Sequence, residues 1–194
     1  NEPNFAVEGS KIFNDDVLLA QTIHFRGDLG LTFNGTINTD PSTSFKNFYG
    51  SILRTSILQF NQNIGEVKKL DNFQVSNSSN ATLEMNFSKM ITDSRISLPL
   101  KVLLNSPTET VLIENTTSAT NRSIGLGTAY VRTAAGANPN ELIIKSAASN
   151  AGILGPVGDN NQPLSSLTII SPSRVVLGGL SVTTTVSQDY TGDI

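Results

Sequence analysis

Cysteine and tryptophan are absent from this 194-residue chain, and histidine occurs once. Without cysteine there is no disulfide framework, no thiol nucleophile and no thiolate metal ligand. A single imidazole, His24, excludes any multi-histidine metal site and leaves one residue for any triad that needs a base. Charged side chains make up only 15%, thirteen basic against sixteen acidic. Residues 1–97 hold eight Lys/Arg and ten Asp/Glu, residues 98–194 five and six, so neither half attracts nucleic acid or an anionic membrane. No apolar run approaches the roughly 18 residues of a membrane span. No glycine loop of the phosphate-cradling kind occurs, and no cofactor is expected.

Asn, Ser, Thr and Gly dominate the polar fraction. Ser, Thr and Asn compete with helical hydrogen bonds, so this balance suits solvated strand faces and turns. The clearest pattern runs from Thr22 to Asn38, where every odd position is apolar or glycine: Ile23, Phe25, Gly27, Leu29, Leu31, Phe33, Gly35, Ile37. A period of two means a strand with one buried face. Seventeen residues in one straight strand would span roughly 55 Å at about 3.3 Å each, too long for a small sandwich. Gly27 and Gly35 therefore mark bends, and the segment reads as a ribbon that keeps turning with one face always inward.

Strand signals recur at 51–60, 71–75 and 81–87, at Val111-Leu112-Ile113 and Leu142-Ile143-Ile144, and almost continuously from Leu164 to Val186. The run Leu98 to Leu104 is interrupted at Pro99, which demotes it to an edge or a strand start. Residues 15–19 suit a helix start or a short strand. Ser42 to Tyr49 lacks a period and reads as an excursion whose aromatics Phe45, Phe48 and Tyr49 cap one edge. Laid on itself with a shift of 94, the chain matches Leu70 to Leu164, Phe73 to Leu167, Val75 to Ile169, Ala81 to Val175 and Leu83 to Leu177. That suggests one β-rich domain over 1–194 with two related halves, about 1–97 and 98–194, stacking to bury a continuous core.

The candidate sites are few. Arg26-Gly27-Asp28 spells the integrin-binding tripeptide, but it lies inside the alternating ribbon and not at a loop tip, so a structural role is favoured over receptor binding. His24 falls on the polar face of the same ribbon. Asp15 and Asp16 could form half of a carboxylate pair for sugar hydrolysis, or hold calcium with Asn14. Neighbours on a strand point to opposite faces, which disfavours joint work. Six Asn-x-Ser/Thr sequons, at Asn34, Asn77, Asn80, Asn86, Asn115 and Asn121, are acceptors only in a eukaryotic secreted protein. No catalytic, metal or cofactor residue is assigned.

Residues 161–169, NQPLSSLTI, followed by 175–179 and then by 181–192, SVTTTVSQDYTG, resemble phrases that recur in the filamentous-haemagglutinin-like adhesins of two-partner secretion and in related autotransporter passengers. Residues 31–37, LTFNGTI, resemble a third such phrase. Residues 150–192 carry most of the likeness, and 1–20, 42–56 and 86–140 little. The resemblance implies a right-handed parallel β-helix, export across an outer membrane, and adhesive or structural work at the bacterial cell surface.

The expectation is thus an all-β, right-handed parallel β-helix of about eight rungs of roughly 20–25 residues. It would be a non-catalytic segment or subunit of a secreted adhesin or fibre. Its partners would be another copy stacked end to end or more of its own chain, with a host or surface glycan or protein as receptor. The alternatives are an antiparallel β-sandwich subunit polymerising by strand exchange and a β-helical carbohydrate-active enzyme. The chain starts at Asn1 without a leader, which fits either a processed protein or an excised fragment.

Overall fold

Buried and more exposed side chains alternate through the strands between residues 57 and 146, and the strands coil into a parallel β-helix. The computed structural model describes residues 4–7, 9–27, 29–52, 56–77, 81–98, 101–117, 123–147, 150–179 and 181–193. Among them there are twenty strands and no helix.

Successive turns each visit three faces. The first turn is β1 (Asn4–Val7), β2 (Ser10–Phe13) and β3 (Val17–Leu19), and the second is β4 (Ile23–Gly27), β5 (Gly30–Phe33) and β6 (Ile37–Thr39). The third is β7 (Phe48–Ile52), β8 (Ile57–Phe60) and the bridge residue Ile64. The fourth is β9 (Phe73–Asn77), β10 (Thr82–Met85) and β11 (Lys89–Thr92). The fifth is β12 (Ile96–Leu98), β13 (Lys101–Leu104) and β14 (Thr110–Asn115), and the sixth β15 (Ile124–Leu126), β16 (Tyr130–Thr133) and β17 (Glu141–Ser146). The seventh is β18 (Ala151–Ile153), the bridge residue Val157 and the start of β19 (Leu164–Leu177). The end of β19, Val182 and β20 (Thr184–Asp193) form the eighth.

Every strand pairing among the described residues is parallel. That rules out the antiparallel sandwich. Along the first face the register steps by 20 (4 to 24), 25 (23 to 48), 25 (48 to 73), 23 (73 to 96), 28 (96 to 124), 27 (124 to 151) and 24 (151 to 175). The two longest steps hold the excursions at 105–109 and 134–140, where Pro107 and Pro139 sit between the second and third faces. Pro99 lies outside the described residues, and β13 after it is an internal strand between β10 and β16.

The ribbon of 22–38 is one complete turn, not a bent strand. Phe25, Leu31, Phe33 and Ile37 point into the core, but Leu29 is 61% exposed. The corner after β4 consumes residues without regard to alternation, so odd positions return to the core only once β5 begins. Gly35 is a corner where backbone meets backbone: a Cβ there would lie 2.4 Å from the Asp15 carbonyl of the turn below. Residues 15–19 take the strand option, as β3. The edge-cap reading of 42–49 is also corrected. Phe48 is fully buried in β7, Tyr49 lies on that strand's outer side, and only Phe45 stays out on the excursion. At the 94-residue shift Phe73 on the first face meets Leu167 on the third, so the period carried by the structure is the single turn.

The interior is one continuous apolar column from Leu19 to Val175. Corners are tied by side-chain ladders. The amide of Asn34 donates to Asn14 Oδ1 (2.8 Å), Asn61 to Asn34 (2.6 Å) and Asn86 to Asn61 (2.7 Å). At another corner Asn72 donates to Asn47 (2.7 Å), and Asn47 to Thr22 Oγ1 (3.3 Å). Each link satisfies amide groups that a tight corner would otherwise leave to water.

Candidate functional site

The residues singled out from sequence are dispersed. Arg26 is exposed on β4, and Gly27 pairs in backbone register with Val7 and Ile52. Asp28 lies outside the described residues, so two members of the tripeptide belong to a sheet strand. Of the acidic group, Asp16 Oδ1 accepts from the Thr36 amide (2.7 Å) and hydroxyl (2.9 Å), and Asn14 is the first member of its ladder. Both hold the first turn to the second. Among the described residues no group of three His, Asp or Glu side chains converges as a metal site would. Of the sequons, Asn34 and Asn86 commit their amides to the ladder, Asn115 Oδ1 receives the Ala147 N–H (2.8 Å), and Asn80 and Asn121 lie outside the described residues.

His24 begins a feature that sequence inspection missed. It stands on the outer side of the first face with its ring 4.7 Å from that of Tyr49. Parallel register then places Tyr49, Gln74, Ser97, Gly125, Gly152 and Val176 in one outward row, one residue per turn. Outward side chains therefore shrink along the axis from aromatic to none, and the sheet surface sinks into a trough. Its upper part, about 340 Å³, runs from His24 and Tyr49 past Gln74 to Ser97. Its lower part, about 240 Å³, continues from Ser97 over Gly125 and Gly152 to Val176.

The lower trough has two unlike rims. Arg95, Ser123 and Asn150 precede β12, β15 and β18 and form a polar rim, with Leu154, half exposed, on the opposite side. The two floor glycines differ. A Cβ on Gly125 would meet nothing within 4 Å, so this is where the trough is open. A Cβ on Gly152 would lie 2.2 Å from the Val176 carbonyl, so Val176 closes the far end over it. Among the described residues no carboxylate lines the lower trough, and Arg95 is the one charged side chain of that lining. Binding sites are typically apolar clefts with a few placed polar groups, and the lining of the lower trough has that composition on a small scale.

Titration behaviour points elsewhere on the surface. The Asn161 and Gln162 backbone N–H groups hold the Asp159 carboxyl below its ordinary value, helped by Arg132 at 3.0 Å. The Ser42 hydroxyl and amide do the same for Asp40, with Lys68 nearby. Lys68 itself is clasped by the carbonyls of Asp40, Pro41 and Thr43, closing the 40–46 excursion over it. Burial pushes the Tyr190 hydroxyl up, where its ring packs over the end of the core. None of these groups faces the trough.

No family model, curated protein or solved structure matches this chain. The fold and the trough stand on geometry alone. Only the spacing of Ser97, Gly125 and Gly152, 28 and 27 residues apart, hinted at the trough in the sequence (125 − 97 and 152 − 125). That hint is readable only once the length of a turn is known.

Proposed function

We propose that this chain is a non-catalytic structural and adhesive stretch of a secreted bacterial surface protein or fibre, of the filamentous-haemagglutinin-like kind its tail resembles. The observation that carries the reading is the way turn stacks on turn. Eight turns share one apolar column and in-register ladders, a construction that extends by adding turns. β20 pairs with β19 along one side, is exposed along most of its length, and has no strand on its outer edge among the described residues. Such an edge pairs with whatever strand is offered. Its partner is a second copy stacked end to end, or further turns of the same polypeptide. The polar outer rows then form a long lateral surface for a receptor.

Light scattering over a concentration series tests this, comparing the chain with a Ser187→Pro variant that removes an N–H from β20. Rising mass and rods by electron microscopy, both weakened by the proline, are expected. A monomer at every concentration, together with a longer precursor whose following residues do not protect β20 amides from exchange, rejects the stacking role. Antibody labelling of intact source cells tests surface display.

A further inference from the structure

We propose that the lower trough on the first face is a binding subsite for an acidic saccharide, one or two pyranose rings carrying a carboxylate. This rests on the adhesive half of the reading above and names its ligand class. Three features define the occupant.

The floor comes first. Ser97, Gly125 and Gly152 belong to strands whose backbone groups are already paired with the turns on either side. An extended peptide laid there would find no main-chain partner for its own amides, and burying amides unpaired is costly. A sugar ring has no such difficulty. Its C–H faces rest on a glycine floor and on Leu154, while its hydroxyls leave from the ring edge.

The rims come second. Ser123 and Asn150 place a hydroxyl and an amide along one side only, at successive turns about 4.8 Å apart, where ring-edge hydroxyls would lie. The opposite rim is the Leu154 side chain, 50% exposed. A ring with polar edges and apolar faces matches that asymmetry.

Charge comes third. Arg95 stands exposed on the polar rim, and no carboxylate among the described lining residues neutralises it. Arg174, farther along the first face, is in backbone register with Asp193 on β20 and is not among the residues lining the trough, so Arg95 is the charge that the described lining carries. A planar guanidinium on a polar rim selects a carboxylate through paired N–H donors. The size agrees: about 240 Å³ lies just under the range of drug-sized pockets, so the subsite takes a short piece of a chain.

The test is titration of the full chain, followed by amide NMR, with a galacturonate disaccharide, its neutral galactose counterpart and an acidic hexapeptide. The expected result is that the galacturonate shifts the amides of Ser97, Gly125 and Gly152 and binds at least about tenfold more tightly than either control. Arg95→Gln should remove that preference over the neutral sugar, because it deletes only the charge. Gly125→Leu should abolish binding of both sugars while the far-UV spectrum stays unchanged, since the added side chain enters open space. No shift in the floor amides with galacturonate, equal or tighter binding of the peptide, or galacturonate binding that survives Gly125→Leu would each overturn the proposal. Mass measured by light scattering on the same samples reads stacking separately. A chain that stacks without binding refutes the subsite alone, and one that binds without stacking refutes the fibre role alone.

Discussion

Phenylalanine fills much of the first to fourth turns, whereas the fifth to seventh follow the same path with mostly aliphatic side chains. Phe13, Phe33 and Phe60 stack along the axis at 4.8 and 5.1 Å, and Phe25, Phe48 and Phe73 at 5.2 and 4.6 Å. The two columns touch edge to face, as Phe33 does Phe48 and Phe60 does Phe73. Beyond them the same inward rows continue as Met85, Leu104 and Thr133, and as Ile96, Ile124, Ala151 and Val175. One backbone solution thus accepts two packings. Ring columns add an orientation preference between turns, worth about 0.5–1.5 kcal/mol per pair beyond burial. The aliphatic positions rely on close fit, and Thr133 adds a hydrogen bond from its hydroxyl to the Pro163 carbonyl (2.7 Å). The outer side of the first face changes in step, from the His24–Tyr49 pair to open glycine, so the lower trough lies over the half with the slimmer interior.

The largest break in this comparison is a charge placed in the ring column. Phe33 has no exposed area and contacts four rings, those of Phe13, Phe25, Phe48 and Phe60. Phe33→Asp should unfold several turns, since an unpaired buried carboxylate costs more than a marginal domain has to spare. Thr32, one residue away, faces outward toward Gln59. Thr32→Asp should change stability by no more than about 0.5 kcal/mol. Equal loss for the two in denaturant melts would contradict the facing of β5.

A finer cut compares Phe60→Ala with Leu104→Ala, two turns apart on one inward row. The first should cost about 3–5 kcal/mol and the second about 2–5, but a second substitution separates them better. In a double-mutant cycle, Phe33 and Phe60 should couple by about 0.5–1.5 kcal/mol. Met85 and Leu104 should couple by less. Equal coupling in both pairs would mean that the rings act as bulk and not as a stack.

Smaller again is the contrast between the two trough glycines. Gly152→Ala forces its methyl into the Val176 backbone and should cost about 1–3 kcal/mol by overpacking. Gly125→Ala enters open space and should stay within about 0.5 kcal/mol. Thermal melts of the two variants check the depth of the floor directly.

Much of the architecture was legible before any coordinates. Alternation in 22–38 placed Phe25, Leu31, Phe33 and Ile37 inward, because a side-chain period of two survives coiling within each strand. It failed at Leu29, because a corner resets the phase, and Phe48 was read as an edge cap because the excursion before it carries no period from which to place the strand. The trough was illegible for a related reason. Its floor residues are far apart in sequence, and only interstrand register aligns them. Asp16 and Asn14, weighed as calcium ligands and disfavoured, are corner ties, since a short polar side chain beside a tight turn finds a backbone N–H or another amide first.

The smallest expected effect separates the halves by their charged corners. Asp40 in the first half and Asp159 in the second both titrate below the ordinary carboxylate value of 3.8, chiefly because N–H or O–H donors favour the ionised form. For Asp40 the donors come from Ser42, hydroxyl first. For Asp159 they are the Asn161 and Gln162 amides. A lowered folded-state value means that each group's stabilisation is fully present above the unfolded value. It is lost as pH falls through the lower folded one. Both carboxylates are solvent-exposed, so each contribution is small. The Coulombic share from Lys68 or Arg132 should vanish in about 1 M salt, where screening acts within about 3 Å, and the hydrogen-bonded share should persist. Carboxyl carbon NMR titrations at low and high salt are therefore expected to find both groups still depressed in high salt. Ser42→Ala should return Asp40 part of the way to its ordinary value, since the hydroxyl is lost and the backbone N–H of residue 42 remains, while Arg132→Gln should move Asp159 only slightly because its two backbone donors remain. A large upward shift of Asp159 on Arg132→Gln would show that the ion pair, not the turn at 159–162, holds that corner.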